Sequence, residues 1–183
     1  MSELLTDLGA ICGRFQPFHL GHAEYLCAAK KRCQKLLIGI TNPDPGSWAV
    51  LSEAPHRHLQ ESNPFTYYER MEMIRAALPD FGISDGEVTF VPFPILHPRL
   101  LEYYVPKTAR VFVTIYDAWG TTRVELIRSE GFAVEILWHK KDSDRITSGF
   151  EIRDAIRNKR SWHQLVPKGA ARVIESITLG RQI

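Results

Sequence analysis

The stretch Gly13-Arg14-Phe15-Gln16-Pro17-Phe18-His19-Leu20-Gly21-His22 decides how the rest of the chain is read. An apolar run, Leu8 to Cys12, precedes it and an amphipathic run, Ala23 to Cys33, follows it, so these residues make a strand-to-helix turn. Such a turn aims the helix N-terminus, with its unpaired N–H groups and partial positive charge, past the carboxyl end of the strand. Gly13 and Gly21 carry no β-carbon to hold a ligand off the backbone. His19 and His22 are three residues apart, which places both imidazoles on one face of a first helical turn. Arg14 adds a rigid fork of donors matched to phosphate oxygens. Alone, two histidines beside a turn would be ordinary surface residues; in this setting they outline a phosphate site.

Working outward, Leu36-Leu37-Ile38-Gly39-Ile40 is a continuous apolar run, the pattern of a second strand (Leu36 to Thr41) covered on both faces. Strand, helix and strand of this length make a right-handed βαβ unit. Thr66 with Glu69 fits a capping box, Met71, Ile74, Ala77 and Leu78 follow as core positions, and Pro79 stops the run. Third, fourth and fifth strands are expected at Val88–Val91, Val111–Ile115 and about Ala133–Trp138. Pro92, Pro94 and Pro98 forbid regular structure up to about Arg99. Thr121 or Thr122 can cap the helix after the fourth strand, and Gly131 ends it. Ser148 opens a further helix and Pro167 the last one. The expected fold is α/β: a single Rossmann-like doubly wound parallel sheet of about five strands with C-terminal helices. One domain spans 1–183, with 162–183 as its C-terminal helical segment.

The 183 residues, 44% of them hydrophobic, are enough for one domain with a full core. Twenty-three Lys and Arg against 21 Asp and Glu leave a formal charge of +2, so no nucleic-acid partner is expected. Lys30-Lys31-Arg32 with Lys35 solvates the end of the first helix and complements its dipole. Cys12, Cys27 and Cys33 form no C-x-x-C pair, which argues against a disulfide framework or a zinc site. Met1 to Gly9 has no basic n-region, and no apolar run approaches the roughly 20 residues needed to span a bilayer. A cytoplasmic protein with no membrane partner is the expectation.

From Asn42 to Asn63 the periodicity fails. A connection this long in a compact domain is a binding loop or lid, or else disordered; lying at the end of the second strand, beside the motif strand, it is read as an active-site loop over 42–63. Trp48, His56, Arg57 and His58 would then reach a ligand, although no carboxylate or second pair completes a zinc site there. In an open α/β sheet ligands lie beyond the strands' carboxyl ends where strand order reverses. Thr41, Asn42, Arg57, Tyr116, Asp117 and Trp119 are therefore candidate contacts to an acceptor or base. Ser148-Gly149-Phe150-Glu151 reads either as a plain capping box or as a second anion site. Arg153, at helical spacing from Gly149, favours the second: two helix N-termini, each with an arginine, hold a triphosphate between them.

The motif G-R-F-Q-P-x-H-x-G-H resembles the signature of the nucleotidyltransferase superfamily, in particular the archaeal-type nicotinamide mononucleotide adenylyltransferases. Ser148-Gly149-Phe150-Glu151-Ile152-Arg153 is similar to the family's S-G-T-E-I-R element. Asn63-Pro64-Phe65-Thr66 with Glu69-Arg70, and Trp162 with Leu165-Val166-Pro167, extend the likeness over most of the chain. The resemblance implies an enzyme that moves a nucleoside monophosphate from a nucleoside triphosphate, ATP or CTP, to a small phosphate or phosphonate acceptor with release of pyrophosphate. It implies His19, His22 and Arg153 as catalytic residues, and Gly13, Arg14, Phe15, Gly21, Ser148 and Gly149 as nucleotide- and phosphate-binding. It implies Mg²⁺ carried by the nucleotide phosphates with no protein metal site, and it allows a homo-oligomer.

A phosphate monoester has a second pKa near 6, so the acceptor oxygen is largely ionised at neutral pH and no general base is required. Departures from the adenylyltransferase pattern fall on the base and nicotinamide contacts: Phe150 in place of Thr, Pro94-Ile95-Leu96-His97-Pro98 in place of an Asn and a Trp, and Thr114-Ile115-Tyr116-Asp117 in place of T-N-N-P. Adenylyl transfer to nicotinamide mononucleotide leads by family prevalence. CTP-dependent transfer to a small phosphonate such as phosphonoformate is the rival within the same chemistry, and a non-catalytic nucleotide sensor is the rival of another class.

Overall fold

The computed structural model describes residues 5–45 and 59–181. Strands β1 (Thr6–Gly13), β2 (Cys33–Ile40), β3 (Val88–Pro92), β4 (Arg110–Ile115) and β5 (Ala133–His139) form one parallel sheet in the order β3-β2-β1-β4-β5. Helices α1 (Leu20–Lys30), α2 (Tyr67–Ala77), α3 (Ala118–Ser129), α4 (Gly149–Arg157) and α5 (Lys168–Thr178) complete it. This is the doubly wound α/β architecture with C-terminal helices that the sequence pattern implies. The chain steps from β1 to β3 in one direction, returns to β4 and steps to β5 in the other, so right-handed crossovers put α1 and α2 on one face and α3 on the opposite one.

Two cores follow from that layering. Along β1, Ile11 enters the core beneath α1, α2 and α5, while Ala10 and Cys12 enter the core beneath α3. Along β2, Leu36, Ile38 and Ile40 take the first face and Leu37 the second, the two-residue period of a strand covered on both sides. No helix among the described residues is long and apolar enough to cross a membrane.

Several boundaries differ from the sequence expectation. The first helix starts at Leu20 because His19 is its N-cap: its backbone is extended and its Nδ1 accepts the His22 N–H at 3.3 Å. The helix ends at Lys30, and Cys33 opens β2 instead of closing the helix, because it pairs with Thr6 and is wholly buried. Asp117, not Thr121 or Thr122, caps α3: its Oδ1 accepts the Gly120 N–H at 2.8 Å, and Thr122 donates back to the Ala118 carbonyl within the helix. The capping box of Thr66 and Glu69 forms as expected. At α4, Ser148 caps through the Glu151 N–H, but the Glu151 carboxylate accepts from Thr147 Oγ1 at 2.7 Å instead of closing a box.

Candidate active site

The sheet opens where strand order reverses. β1 and β4 pair only at Gly9 with Arg110 and Ala10 with Val111. Beyond that point Tyr25 of α1 enters the gap: its hydroxyl accepts the Cys12 N–H at 3.4 Å and donates to the Phe112 carbonyl. It restores the two backbone partners that the diverging strands lose. Above this wedge lies a cleft of about 460 Å³, the topological switch point of the sheet. Arg123 of α3 lines the cleft and donates to the Thr114 carbonyl at 2.8 Å.

His19 and His22 stack in one wall with ring centroids 3.6 Å apart and planes at 20°. Behind them Phe18 lies parallel to His22, and Phe15 meets it edge-on at 4.8 Å. Burial, then the nearby Arg145 and Arg153 charges, push the His19 pKa down to about 3. Burial, then His19, Arg14 and Arg145, hold His22 well below its ordinary value. Both rings are neutral at pH 7. Because His19 Nδ1 accepts from the His22 amide, its proton sits on Nε2, and the ring presents a donor. The Nδ1 of His22 is buried with no hydrogen-bond partner among the described residues.

The motif turn is tied down from two sides. Phe15 holds a left-handed backbone, φ 53°, with its ring fully buried, and the Gln16–Pro17 peptide is cis. Gly13 is needed for a reason other than ligand access: a β-carbon there would lie 2.8 Å from the Phe15 ring. Gln16 exchanges two bonds with the Phe65 backbone, at 2.9 and 3.0 Å, and Arg14 reaches the Ser62 carbonyl and Asn63 Oδ1. From the other side Arg153, 5% exposed, donates Nη1 to the Gln16 carbonyl at 2.5 Å. Gly149 permits this approach, since a β-carbon on it would stand 2.5 Å from that same carbonyl oxygen. The N-termini of α1 and α4 thus face each other across the cleft.

Gly13, Arg14, Phe15, His19, Gly21, His22, Tyr116, Asp117, Trp119, Ser148, Gly149 and Arg153 all line this one cavity. Trp119 does so from the core beneath α3, at 6% exposure. Thr41 and Asn42 do not line it; they follow β2 beside the motif turn, where the Thr41 N–H bonds the Gly13 carbonyl at 2.9 Å. Arg57, with Trp48, His56 and His58, lies outside the described residues. Sequence reasoning missed Arg145. Its guanidinium sits 4.4 Å over the Tyr116 ring, bonds Asp117 at 2.9 Å and Asp142, and is close enough to depress both histidines. It also missed Tyr25 and Arg123, whose roles depend on where the strands part.

The lining carries four arginines against two carboxylates, Asp117 and Asp142, both already bound by Arg145. A cleft of donors and cations between two helix N-termini is built for a polyanion. No group of three His, Cys, Asp or Glu side chains that could cage a metal occurs among the described residues.

A family model described as cytidylyltransferase-like matches residues 10–167. Phosphonoformate cytidylyltransferase of Streptomyces viridochromogenes is 41% identical over 182 residues, covering 100% of this chain and 98% of that one. Nicotinamide-nucleotide adenylyltransferase of Saccharolobus solfataricus is 32% identical over 170 residues, 92% of this chain and 90% of that one. In fold the chain is similar to a bifunctional NMN adenylyltransferase/ADP ribose pyrophosphatase of Francisella tularensis, solved with AMP and a manganese ion, with a TM-score of 0.64, 15% identity and 94% of this chain covered. The chain spans about half of that protein, 49% of its length. Fold, cleft and sequence together define an enzyme that transfers a nucleoside monophosphate from a nucleoside triphosphate to a small acceptor. The chain belongs to the cytidylyltransferase-like family.

Proposed function

We propose that the enzyme transfers CMP from CTP to a small phosphonate of the phosphonoformate type, releasing pyrophosphate. The observation that carries this reading is end-to-end similarity to a phosphonoformate cytidylyltransferase at 41% identity, against 32% for the adenylyltransferase. It moves the preference away from adenylyl transfer to nicotinamide mononucleotide. The segment after β3 supports it. Phe93, Pro94 and Ile95 turn into the core, with Phe93 and Ile95 at 1% and 3% exposure, so they offer no indole or amide to a nicotinamide ring.

In this reading the triphosphate lies between the two helix N-termini. Arg14, Arg145 and Arg153 hold its β- and γ-phosphates, and the first-turn amides of α4 above Ser148 and Gly149 add donors. The acceptor oxygen, already anionic, attacks the α-phosphorus; one P–O bond forms, the bond to the β-phosphate oxygen breaks, and pyrophosphate leaves with the charge. His19 Nε2–H donates to the phosphoryl oxygens as that charge builds, and His22, once protonated in response to the incoming negative charge, adds a second donor. Among the described residues no carboxylate cage adjoins the cleft, so a magnesium ion would come as the counter-ion of the nucleotide phosphates. When bound it would neutralise charge on the β- and γ-phosphates. No side chain has to take a proton from the acceptor.

The test is pyrophosphate release with CTP and ATP, each crossed with phosphonoformate, other small phosphonates, nicotinamide mononucleotide and nicotinate mononucleotide. Release with CTP and a phosphonate is expected. Release with ATP and nicotinamide mononucleotide, and none with CTP, would overturn the proposal.

A further inference from the structure

Arg70, the last residue of the Asn63–Arg70 block, takes no part in lining the cleft. It is 1% exposed, among the most deeply buried large side chains of the molecule. No carboxylate pairs with it among the described residues; every partner it has is a backbone carbonyl. Nε donates to Thr66 at 3.2 Å, Nη1 to Arg14 at 2.8 Å and to Thr41 at 2.7 Å, and Nη2 to Asn42 at 2.8 Å. One planar fork therefore joins three segments: its own helix start, the turn that leaves β1 and the turn that leaves β2.

Both turns are strained, as is Lys159 beyond the end of α4. Phe15 and Asn42 hold left-handed backbones, φ 53° and 50°, although neither is glycine. Such residues persist where surrounding contacts over-determine them. The carbonyls Arg70 grips are those immediately before Phe15, immediately before Asn42, and of Asn42 itself. The Arg14–Phe15 turn opens the motif that receives the polyphosphate. The Thr41–Asn42 turn lies at the carboxyl end of β2, on the side of β1 away from β4, and in-line attack requires the acceptor to enter opposite the departing pyrophosphate.

We propose that Arg70 is a positioning residue that sets the acceptor-side turn against the donor-side turn and so fixes how closely the acceptor oxygen meets the α-phosphorus. This rests on the nucleotidyl-transfer reading, with the acceptor entering over the end of β2. The donor-side turn has further anchors in Phe65 and Arg153. Two of the four carbonyls that Arg70 holds, those of Thr41 and Asn42, belong to the acceptor-side turn, against one, that of Arg14, in the donor-side turn. Loss of Arg70 should therefore loosen the acceptor side more than the nucleotide side. Burial lowers the guanidinium pKa only to about 10, so the group stays charged at neutral pH.

The test compares Arg70→Lys and Arg70→Ala with wild type, using whichever nucleotide and acceptor the wild type turns over. A wrong substrate assignment then changes the reagents and leaves the comparison intact. Both variants should lose about 100-fold in kcat, the scale of an ångström's misplacement, with nucleotide Kd within about threefold of wild type. Lysine should fail because one ammonium cannot replace donors fixed on three separate nitrogens. Millimolar guanidinium should restore about tenfold to Arg70→Ala, and methylammonium at equal ionic strength should not. Independently of any substrate, hydrogen exchange should quicken at residues 13–16 and 41–45 together and stay unchanged in α5. Full kcat in Arg70→Lys would overturn the proposal. So would nucleotide affinity lost in proportion to kcat, or failure of both variants to fold.

Discussion

Replacing Gly149 by alanine puts a β-carbon 2.5 Å from the Gln16 carbonyl oxygen and 3.1 Å from Arg153 Nη1. Ordinary contact begins at 3.4 Å, so the start of α4 must retreat from the motif turn by about 0.9 Å. That retreat stretches the 2.5 Å bond between Arg153 and Gln16 to about 3.4 Å, the long and weak end of the hydrogen-bond range. A hydrogen bond from a charged group contributes about 1.5–3 kcal/mol, and the residual overpacking adds a share, so about 3 kcal/mol is the expected loss of stability. For a chain of this length that is about 6–12 °C in Tm. Two helix N-termini separated by nearly an ångström more can no longer close on one triphosphate, which costs about 100-fold in kcat. The assay is pyrophosphate release at a temperature well below the variant's own Tm, with unfolding followed by calorimetry. Wild-type Tm together with kcat within threefold of wild type would refute the claim that this contact sets the width of the cleft.

Further outcomes are expected from the same geometry. Because burial and neighbouring arginines depress His19 to about 3 and lower His22, the unfolded chain binds protons that the folded chain refuses. Stability of the free protein is therefore full above about pH 6.5 and falls as pH drops toward 3, read as Tm against pH. A triphosphate favours the imidazolium, so binding should take up protons and tighten from pH 8 to 6; calorimetry in buffers of different ionisation enthalpy that found no uptake would contradict this. Asp117→Asn keeps the cap of α3 but frees Arg145, whereas Asp117→Ala loses both: only the alanine variant should lose about 1 kcal/mol, while both should change triphosphate Kd alike. Tyr25→Phe strands the Cys12 N–H and the Phe112 carbonyl, and should lower stability by about 2–4 kcal/mol on chemical denaturation. Chelation by EDTA should abolish turnover yet leave the Tm of the nucleotide-free protein within about 1 °C, since the metal arrives with the nucleotide.

Much of the fold was legible because it is written locally. Each strand announces itself as a short apolar run, and the capping pair Thr66 and Glu69 marks α2 from its spacing alone. What failed was arbitration between competing local signals. Asp117 stands at the end of β4, where an acidic residue suggests a ligand, and the later threonines looked like better caps; its side chain was already committed to the Gly120 amide. Cys33 continued a helical run by composition, but pairing with Thr6 decided for a strand. The candidate site was legible where two helix starts carry its donors, and illegible where it depends on the parting of β1 from β4. Nothing around Tyr25 or Arg123 in sequence indicates that their side chains meet at that split. Arg70 was hidden for another reason: an arginine in an amphipathic helix is by default a solvated residue, and only the fold reveals it buried among carbonyls.

The neutrality of the two histidines follows from the same geometry that makes the cleft suit a polyanion. Arg145 and Arg153 both depress His19, and Arg14 and Arg145 both depress His22, because all of them converge on one cavity. Ionising the two buried rings would cost first their desolvation and then repulsion from those guanidinium groups, together about 1.4 kcal/mol for each unit of pKa shift. Held neutral, the stacked rings still offer the Nε2–H of His19. Positive charge beyond the arginines is then acquired only when the triphosphate brings its own negative charge. In the proposed transfer that negative charge grows as pyrophosphate separates, so the histidines would interact more strongly with the transition state than with the resting site.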